Sequence, residues 1–200
     1  MSAYSSLYLS NTPLTEHLVS DENQGYFAKN LVPLFWLSLF TKEDICLYQS
    51  NHENAYSFYF LQTKRMNAIY NFQKHFGIWI HFNYQAFQLA SLFLEFLKNR
   101  NEQYLTLRLD DIYAIGCEPD DTFVRNDILK MLDFFPLFLK NPNFKKVKAT
   151  SYVDLSIKLY LNDQLRNGLD ADMFQLVKSN PQNQVRESKN NLKSFFFKHI

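Results

Sequence analysis

In the segment QYLTLRLD, residues 103–110, Leu105, Leu107 and Leu109 alternate with Tyr104, Thr106 and Arg108. A period of two sends alternate side chains to opposite faces and predicts a half-buried strand. SSLYLS, residues 5–10, repeats the pattern with Leu7 and Leu9 on one face. AYSFYFLQ, residues 55–62, alternates weakly and is rich in rings, which predicts a strand buried on both faces. IYAIG, residues 112–116, extends the 103–110 strand beyond a kink.

Between the strands the period lengthens. Residues 63–77 place Met66, Ile69, Tyr70 and Phe76 near one helical face, with Thr63 as N-cap and Gly77 as the stop. Residues 83–99 form the strongest helix. Asn83 caps it, Phe87, Ala90, Leu94 and Leu97 make its stripe, and Leu89, Leu92, Phe93 and Phe96 widen it. A further helix starts at Asp120 or Asp121 and buries Val124, Ile128, Met131, Leu132 and Phe135 until Pro136 kinks or ends it. Residues 141–150 read as a basic connection or a short edge strand. Residues 151–168 read as a helix with Val153, Ile157, Tyr160 and Leu161 inward, and a shorter helix follows at 172–178.

The run from Leu31 to Phe40 is apolar on almost every side. A spanning helix needs about 20 such residues, and here Lys29 and Asn30 precede the run while Lys42, Glu43 and Asp44 follow it. The expectation is a buried helix with Pro33 in its first turn. Together these elements predict an α+β fold, predominantly helical, with a small, mainly antiparallel sheet packed by several helices. Residues 1–178 are expected to form a single domain. Residues 179–200 form a polar link and an aromatic end, SFFFKHI, expected to dock on the body or a partner.

Composition adjusts this picture in three places. Rings are abundant, with Phe 20, Tyr 12 and Trp 2, and an AT-rich coding sequence or selection for an aromatic surface would each produce that excess. The net charge of +1 supplies no global field toward nucleic acid or an anionic membrane. Cys46 and Cys117 are far apart and in no CxxC pattern, which suits reduced thiols, and the start of the chain shows no basic region followed by an apolar stretch. The expected compartment is the cytoplasm.

Candidate chemistry concentrates in LDDIYAIGCEPDD, with Asp110, Asp111, Glu118, Asp120 and Asp121. A calcium loop needs oxygen ligands at alternate positions, and Ile112, Tyr113, Ala114 and Ile115 occupy them instead. A metal-dependent nuclease would need an acid-x-Lys triplet on a following strand, which is not present. In the plainer reading Asp110 and Asp111 end a strand, and Asp120 and Asp121 begin a helix where its dipole favours carboxylates. An acidic docking surface for a basic partner would use the same residues. His17, His52, His75, His81 and His199 form no HxxxH or HxH pair, so no metal site is expected. The chain lacks GxSxG, GxGxxG and Walker motifs, and no cofactor is expected. Cys46 lies among apolar residues and acids, surroundings that disfavour a thiolate.

Three segments in order, SSLYLSNTP, LVPLFWLSLFTKEDI and YLTLRLDDIYAIGCEPDD, resemble a family of bacterial α+β proteins that includes immunity proteins of polymorphic toxin systems. The similarity spans residues 4–135 and consists of core patterns, with no catalytic residue to carry over. It implies a protein that is not an enzyme and that neutralises a cognate, basic protein toxin by occlusion. The residues expected to meet that partner are Asp110, Asp111, Glu118, Asp120 and Asp121, with Tyr113 as an exposed aromatic anchor. Two alternatives stand beside it. One is an enzyme using Asp110 and Asp111 with a converging histidine. The other is a nucleic-acid-associated protein using the basic segment from Lys145 to Lys148.

Overall fold

The computed structural model describes residues 3–13, 24–49, 57–82, 84–114, 121–140, 150, 152–154 and 156–157. Five strands are present: β1 Tyr4–Ser10, β2 Gln24–Lys29, β3 Ile45–Gln49, β4 Ser57–Lys64 and β5 Tyr104–Arg108. They form one sheet in the order β2-β1-β5-β4-β3, and every pair is antiparallel. The alternation in β1 and β5 fixes the register. Leu7 pairs with Leu107, which pairs with Leu61, and Leu9 pairs with Leu105, which pairs with Thr63. These side chains form the inner face and join the helices in one apolar core, except that Thr63 adds a buried hydroxyl.

Residues 24–29 and 45–49, where no strand was expected, form the two edge strands. β2 is held by its neighbour and by Asn30, whose φ of 59° is a left-handed conformation that Asn tolerates better than most residues. From there the Asn30 backbone N–H donates to the Ala3 carbonyl at 2.8 Å, and its side-chain oxygen accepts from the Ala3 N–H at 3.0 Å. Residues 112–114 do not continue the strand. The chain turns at Leu109 into a one-turn helix, and residues 115 and 116 lie outside the described residues.

Seven α-helices occur among the described residues: α1 Leu34–Leu37, α2 Arg65–Lys74, α3 Ile78–Phe82, α4 Tyr84–Lys98, α5 Asp110–Tyr113, α6 Asp121–Leu132 and α7 Phe134–Lys140. The apolar run 31–40 is core, as its composition requires, but only one turn of it is helical, after Pro33. Irregular backbone in a dry core needs partners. The Asn71 amide supplies one by donating to the Leu39 carbonyl at 3.0 Å, and Ser38 Oγ donates to the Phe35 carbonyl at 2.8 Å.

The helix expected at 63–77 begins two residues later, because Thr63 and Lys64 still belong to β4. Its buried side is Ala68, Ile69, Asn71 and Phe72, while Met66 is 65% and Tyr70 67% exposed. Ala68, Ile69 and Phe72 join the main core, and Arg65 ties the start of the helix to its neighbour. The Arg65 guanidinium donates to the Glu102 carbonyl at 3.1 Å and the Leu97 carbonyl at 3.2 Å, placing a cation at the C-terminus of α4. Pro136 does not end a helix either. The break falls at Asp133, and Pro136 sits in the first turn of α7, where no intrahelical partner for its missing N–H is needed. The helical residues near the end bury Val153 and Ile157 as expected, and the remainder of 151–178 and the aromatic end lie outside the described residues.

Rings hold the helical layer together. Phe35 of α1 lies 4.5 Å from Trp79 of α3, 5.3 Å from Phe93 of α4 and 5.8 Å from Phe72 of α2, centroid to centroid. His75, just after α2, stacks on Phe135 at 4.9 Å. Burial lowers its pKa, the carbonyls of Ser38 and Asn71 work the other way, and Lys74 adds to the lowering. Its Nδ1 finds no hydrogen-bond partner among the described residues.

A pH dependence follows from this depression. Well above pH 6.5, the ordinary imidazole value, His75 is neutral in both folded and unfolded chains. Below that value the unfolded chain takes up the proton first, so stability contributed by His75 falls with pH until the folded-state pKa is passed. Urea unfolding between pH 7.5 and pH 5 should show this loss, and His75→Phe should shrink it. An unchanged slope in the variant would assign the acid sensitivity elsewhere.

Candidate functional site

The register that puts leucines on the inner face puts a different set on the outer one. The outward positions carry Phe27 and Lys29 of β2, Tyr4 and Tyr8 of β1, Tyr104 and Arg108 of β5, Phe58, Phe60 and Lys64 of β4, and Tyr48 of β3. Serines, Thr106, Gln62, Cys46 and Gly25 fill the rest, and none of these strand positions is a carboxylate.

A strip crosses all five strands with one residue from each. Phe27 meets Tyr8 edge-on at 6.0 Å, and Phe58 packs on Tyr8 in a cluster separate from the main core. The Arg108 guanidinium lies over the Phe58 ring at 5.1 Å, and Tyr48 lies 5.0 Å from Phe58 on the other side. Gly25 makes room for this arrangement, because a Cβ there would come within 2.8 Å of the Tyr8 ring. Phe27 is 46% exposed, Phe58 and Tyr48 are half-buried, and Tyr8 is buried beneath them.

The acidic residues meet the strip at one end. Asp110 opens α5 two residues after Arg108 and pairs with it through both carboxylate oxygens, Nε to Oδ1 at 2.9 Å and Nη2 to Oδ2. Burial works against the Arg108 charge, but Asp110, with smaller help from Tyr8 and Asp111, more than offsets it and holds the guanidinium pKa above its ordinary value. Asp111 is exposed beside it. Asp121 arrives from α6, where its carboxylate accepts from the Ser57 hydroxyl at 3.0 and 3.1 Å. Ser57 is the first residue of β4, at the end of the strand that lies beside the Arg108 end of β5. This one bond therefore brings Asp121 to the same end of the sheet as Asp110 and Asp111. Phe123, two residues farther along α6, is 57% exposed. Glu118 and Asp120 lie outside the described residues.

Tyr113 corrects an expectation. It is 8% exposed and stands between helices as a strut, so it is not an exposed anchor. Its hydroxyl donates to Asp127 of α6 at 2.9 Å, and its ring meets Tyr152 at 6.1 Å. Burial first, then the Asp127 charge, pushes the phenol well above its ordinary pKa, so it stays protonated. The apolar neighbours Ile112 and Ala114 carried the signal: a one-turn helix after a strand turns its third and fourth residues back onto the core, and Ile112 is buried too.

Asp110 is thus held by an arginine, while His75 and His81 pack against Phe135 and Phe138 of α7. A hollow of about 290 Å³, open to solvent, lies toward the opposite end of β4 and β5, lined by Asp44, Gln62, Thr63, Lys64, Asn67 and Tyr104. Asp44 is already engaged there by the Thr41 N–H at 2.7 Å and hydroxyl at 3.0 Å. Cys46 is half-buried, and burial followed by the Asp44 charge raises its pKa, as its sequence neighbours imply. Among the described residues no cluster of metal-ligating side chains occurs, and no helix is long and apolar enough to cross a membrane.

Fold and surface together define a mainly helical α+β protein with one antiparallel sheet whose outer face is aromatic and whose one end is acidic. No known family, curated protein or solved structure matches the chain.

Proposed function

We propose that the protein is a binding partner for another protein, and specifically an immunity protein that neutralises a cognate toxin by occlusion in the cytoplasm. The observation that supports this most is the Ser57–Asp121 bond, which gathers carboxylates from two distant segments into one exposed corner. Such a corner attracts a basic surface and raises the encounter rate. Phe123 takes the anchoring role first assigned to Tyr113, since exposed rings beside a charged rim are where interface energy concentrates. The resemblance of the three core segments to immunity proteins points the same way.

The test is co-expression with a toxic product of a neighbouring gene. Growth should be rescued, and the two purified proteins should bind directly. Asp111→Lys combined with Asp121→Lys should weaken that binding about tenfold, chiefly through slower association, because both carboxylates are exposed. Calorimetry and stopped-flow mixing read the two quantities. Affinity and association rate that stay unchanged would remove this corner as the interface, and a toxin that kills despite co-expression would remove the reading itself.

A further inference from the structure

Among the described residues the sheet ends at β2, and no strand lies beyond it. We propose that this edge pairs with β2 of a second copy of the chain, antiparallel about a two-fold axis at Phe27, so that one sheet runs through both copies.

Two bonds fix which backbone groups point outward. The Asn30 N–H donates to the Ala3 carbonyl at 2.8 Å, so odd-numbered positions of this segment and β1 turn toward β2. The Gln103 N–H donates to the Ser10 carbonyl at 3.0 Å, so even-numbered positions turn toward β5. Bonded and non-bonded pairs alternate along an antiparallel ladder. The register therefore bonds Gln24, Tyr26 and Ala28 to β1, and directs the N–H and C=O of Gly25, Phe27 and Lys29 away from it. Phe27 and Lys29 are exposed, and Gly25 is half-buried. A row of such groups is a template for another strand.

Three features select a second copy as the occupant. First, the row is self-complementary. A two-fold axis at Phe27 sets Phe27 opposite its own counterpart and Gly25 opposite Lys29, so each outward N–H meets an outward C=O. Second, the side chains agree with that register. Opposed residues share a face, so the two Phe27 rings, each 46% exposed, would cover each other, while Gly25 has no side chain to obstruct the Lys29 stem. Third, the charges agree. Lys29 is the one charged residue of β2, and the axis would hold the two lysines about 14 Å apart at roughly 3.4 Å per residue. The same operation at Leu47 of β3 would instead carry Asp44 of each copy toward the end of the other sheet where Ser57 holds Asp121.

The pairing uses none of the carboxylates of the acidic corner, so it stands apart from the toxin reading. Three bonded residue pairs and one ring contact make a small interface, which implies a dissociation constant on the order of tens of micromolar.

The experiment is sedimentation velocity of the full chain from low micromolar to submillimolar concentration. The average mass should rise from that of one chain toward that of two. Phe27→Lys sets like charges face to face across the axis and should weaken the dimer more than about tenfold, with circular dichroism checking the fold. A second variant fixes the register. In a chain carrying Cys46→Ser and Cys117→Ser, Phe27→Cys should form a disulfide dimer on mild oxidation, because opposed Cα atoms about 5.5 Å apart lie within disulfide reach. Leu47→Cys in the same background, at a position of similar exposure on the other edge, should not. A single-chain mass at every concentration would overturn the proposal and leave the edge to a strand of a different protein. So would a dimer that Phe27→Lys leaves intact, or cross-linking as complete through Leu47→Cys as through Phe27→Cys, which would move the contact to β3.

Discussion

Phe35→Ala is expected to lower the unfolding free energy by about 3–5 kcal/mol, the range for removing a large ring from a well-packed core. Phe35 is fully buried, and its ring touches Trp79, Phe93 and Phe72, so one side chain joins α1 to three other helices. The short α1 has little else to hold its geometry. One turn makes few internal hydrogen bonds, and an isolated turn is unstable in water. The cavity would therefore sit where neighbouring helices cannot easily close in. Against a total of about 5–15 kcal/mol for a domain, the loss is large. Urea titration followed by tryptophan fluorescence measures it directly, since Trp79 reports on the same site. Phe35→Leu should recover more than half of the loss. A midpoint shift worth under about 1 kcal/mol would mean that this ring is not the joint between the helices.

Arg108→Ala should cost about 2–3 kcal/mol and should also loosen the outer face. The pair with Asp110 is largely out of water, with side-chain exposures of 18% and 24%. Removing one partner leaves the other carboxylate desolvated and unpaired, which is the expensive half of such an exchange. Arg108→Lys keeps the charge but loses the two-pronged geometry and the flat contact with Phe58, so it should recover only part of the stability. Arg108→Ala combined with Asp110→Ala should be less destabilising than Arg108→Ala alone. That ordering, read from denaturation midpoints of the three variants, distinguishes a true pair from an arginine that acts by packing. If the double variant is the weakest of all, the pairing account fails.

The two strongest elements of the fold were legible in the chain. Leu105 and Leu107 alternate in a segment with no competing period, and they lie inward beside Leu7 and Leu9. Of the expected stripe on α4, Ala90 and Leu97 are fully buried, as is Phe93 beside them, while Phe87 and Leu94 are half-buried. The misplaced faces share one cause. Met66 and Tyr70 fit a helical stripe, but Phe72 packs against Phe35, Trp79 and Phe93 of other helices, and Ala68 faces inward with it. A long-range contact decided the rotation, and no local pattern encodes it. β2 and β3 were missed because each is short, lies at an edge, and gains its stability from one neighbouring strand.

The candidate surfaces divide in the same way. The acidic residues are visible as residues, but Asp110 and Asp111 open a helix just after β5 where the end of the strand itself was expected. Their union with Asp121 depends on Ser57, far from both in the chain. The strip of rings is less visible still, because its five members come from five strands and no two are neighbours in sequence.

By itself the sequence determined which side chains would leave water: the alternating leucines, the apolar run after Asn30 and the stripe of α4 had to be buried, because transfer from water depends on each side chain's own chemistry. Only the tertiary structure decided which outward residues would stand together. Strand order and register follow from contacts between distant segments, and a shift of one residue would have exchanged the two faces of the sheet.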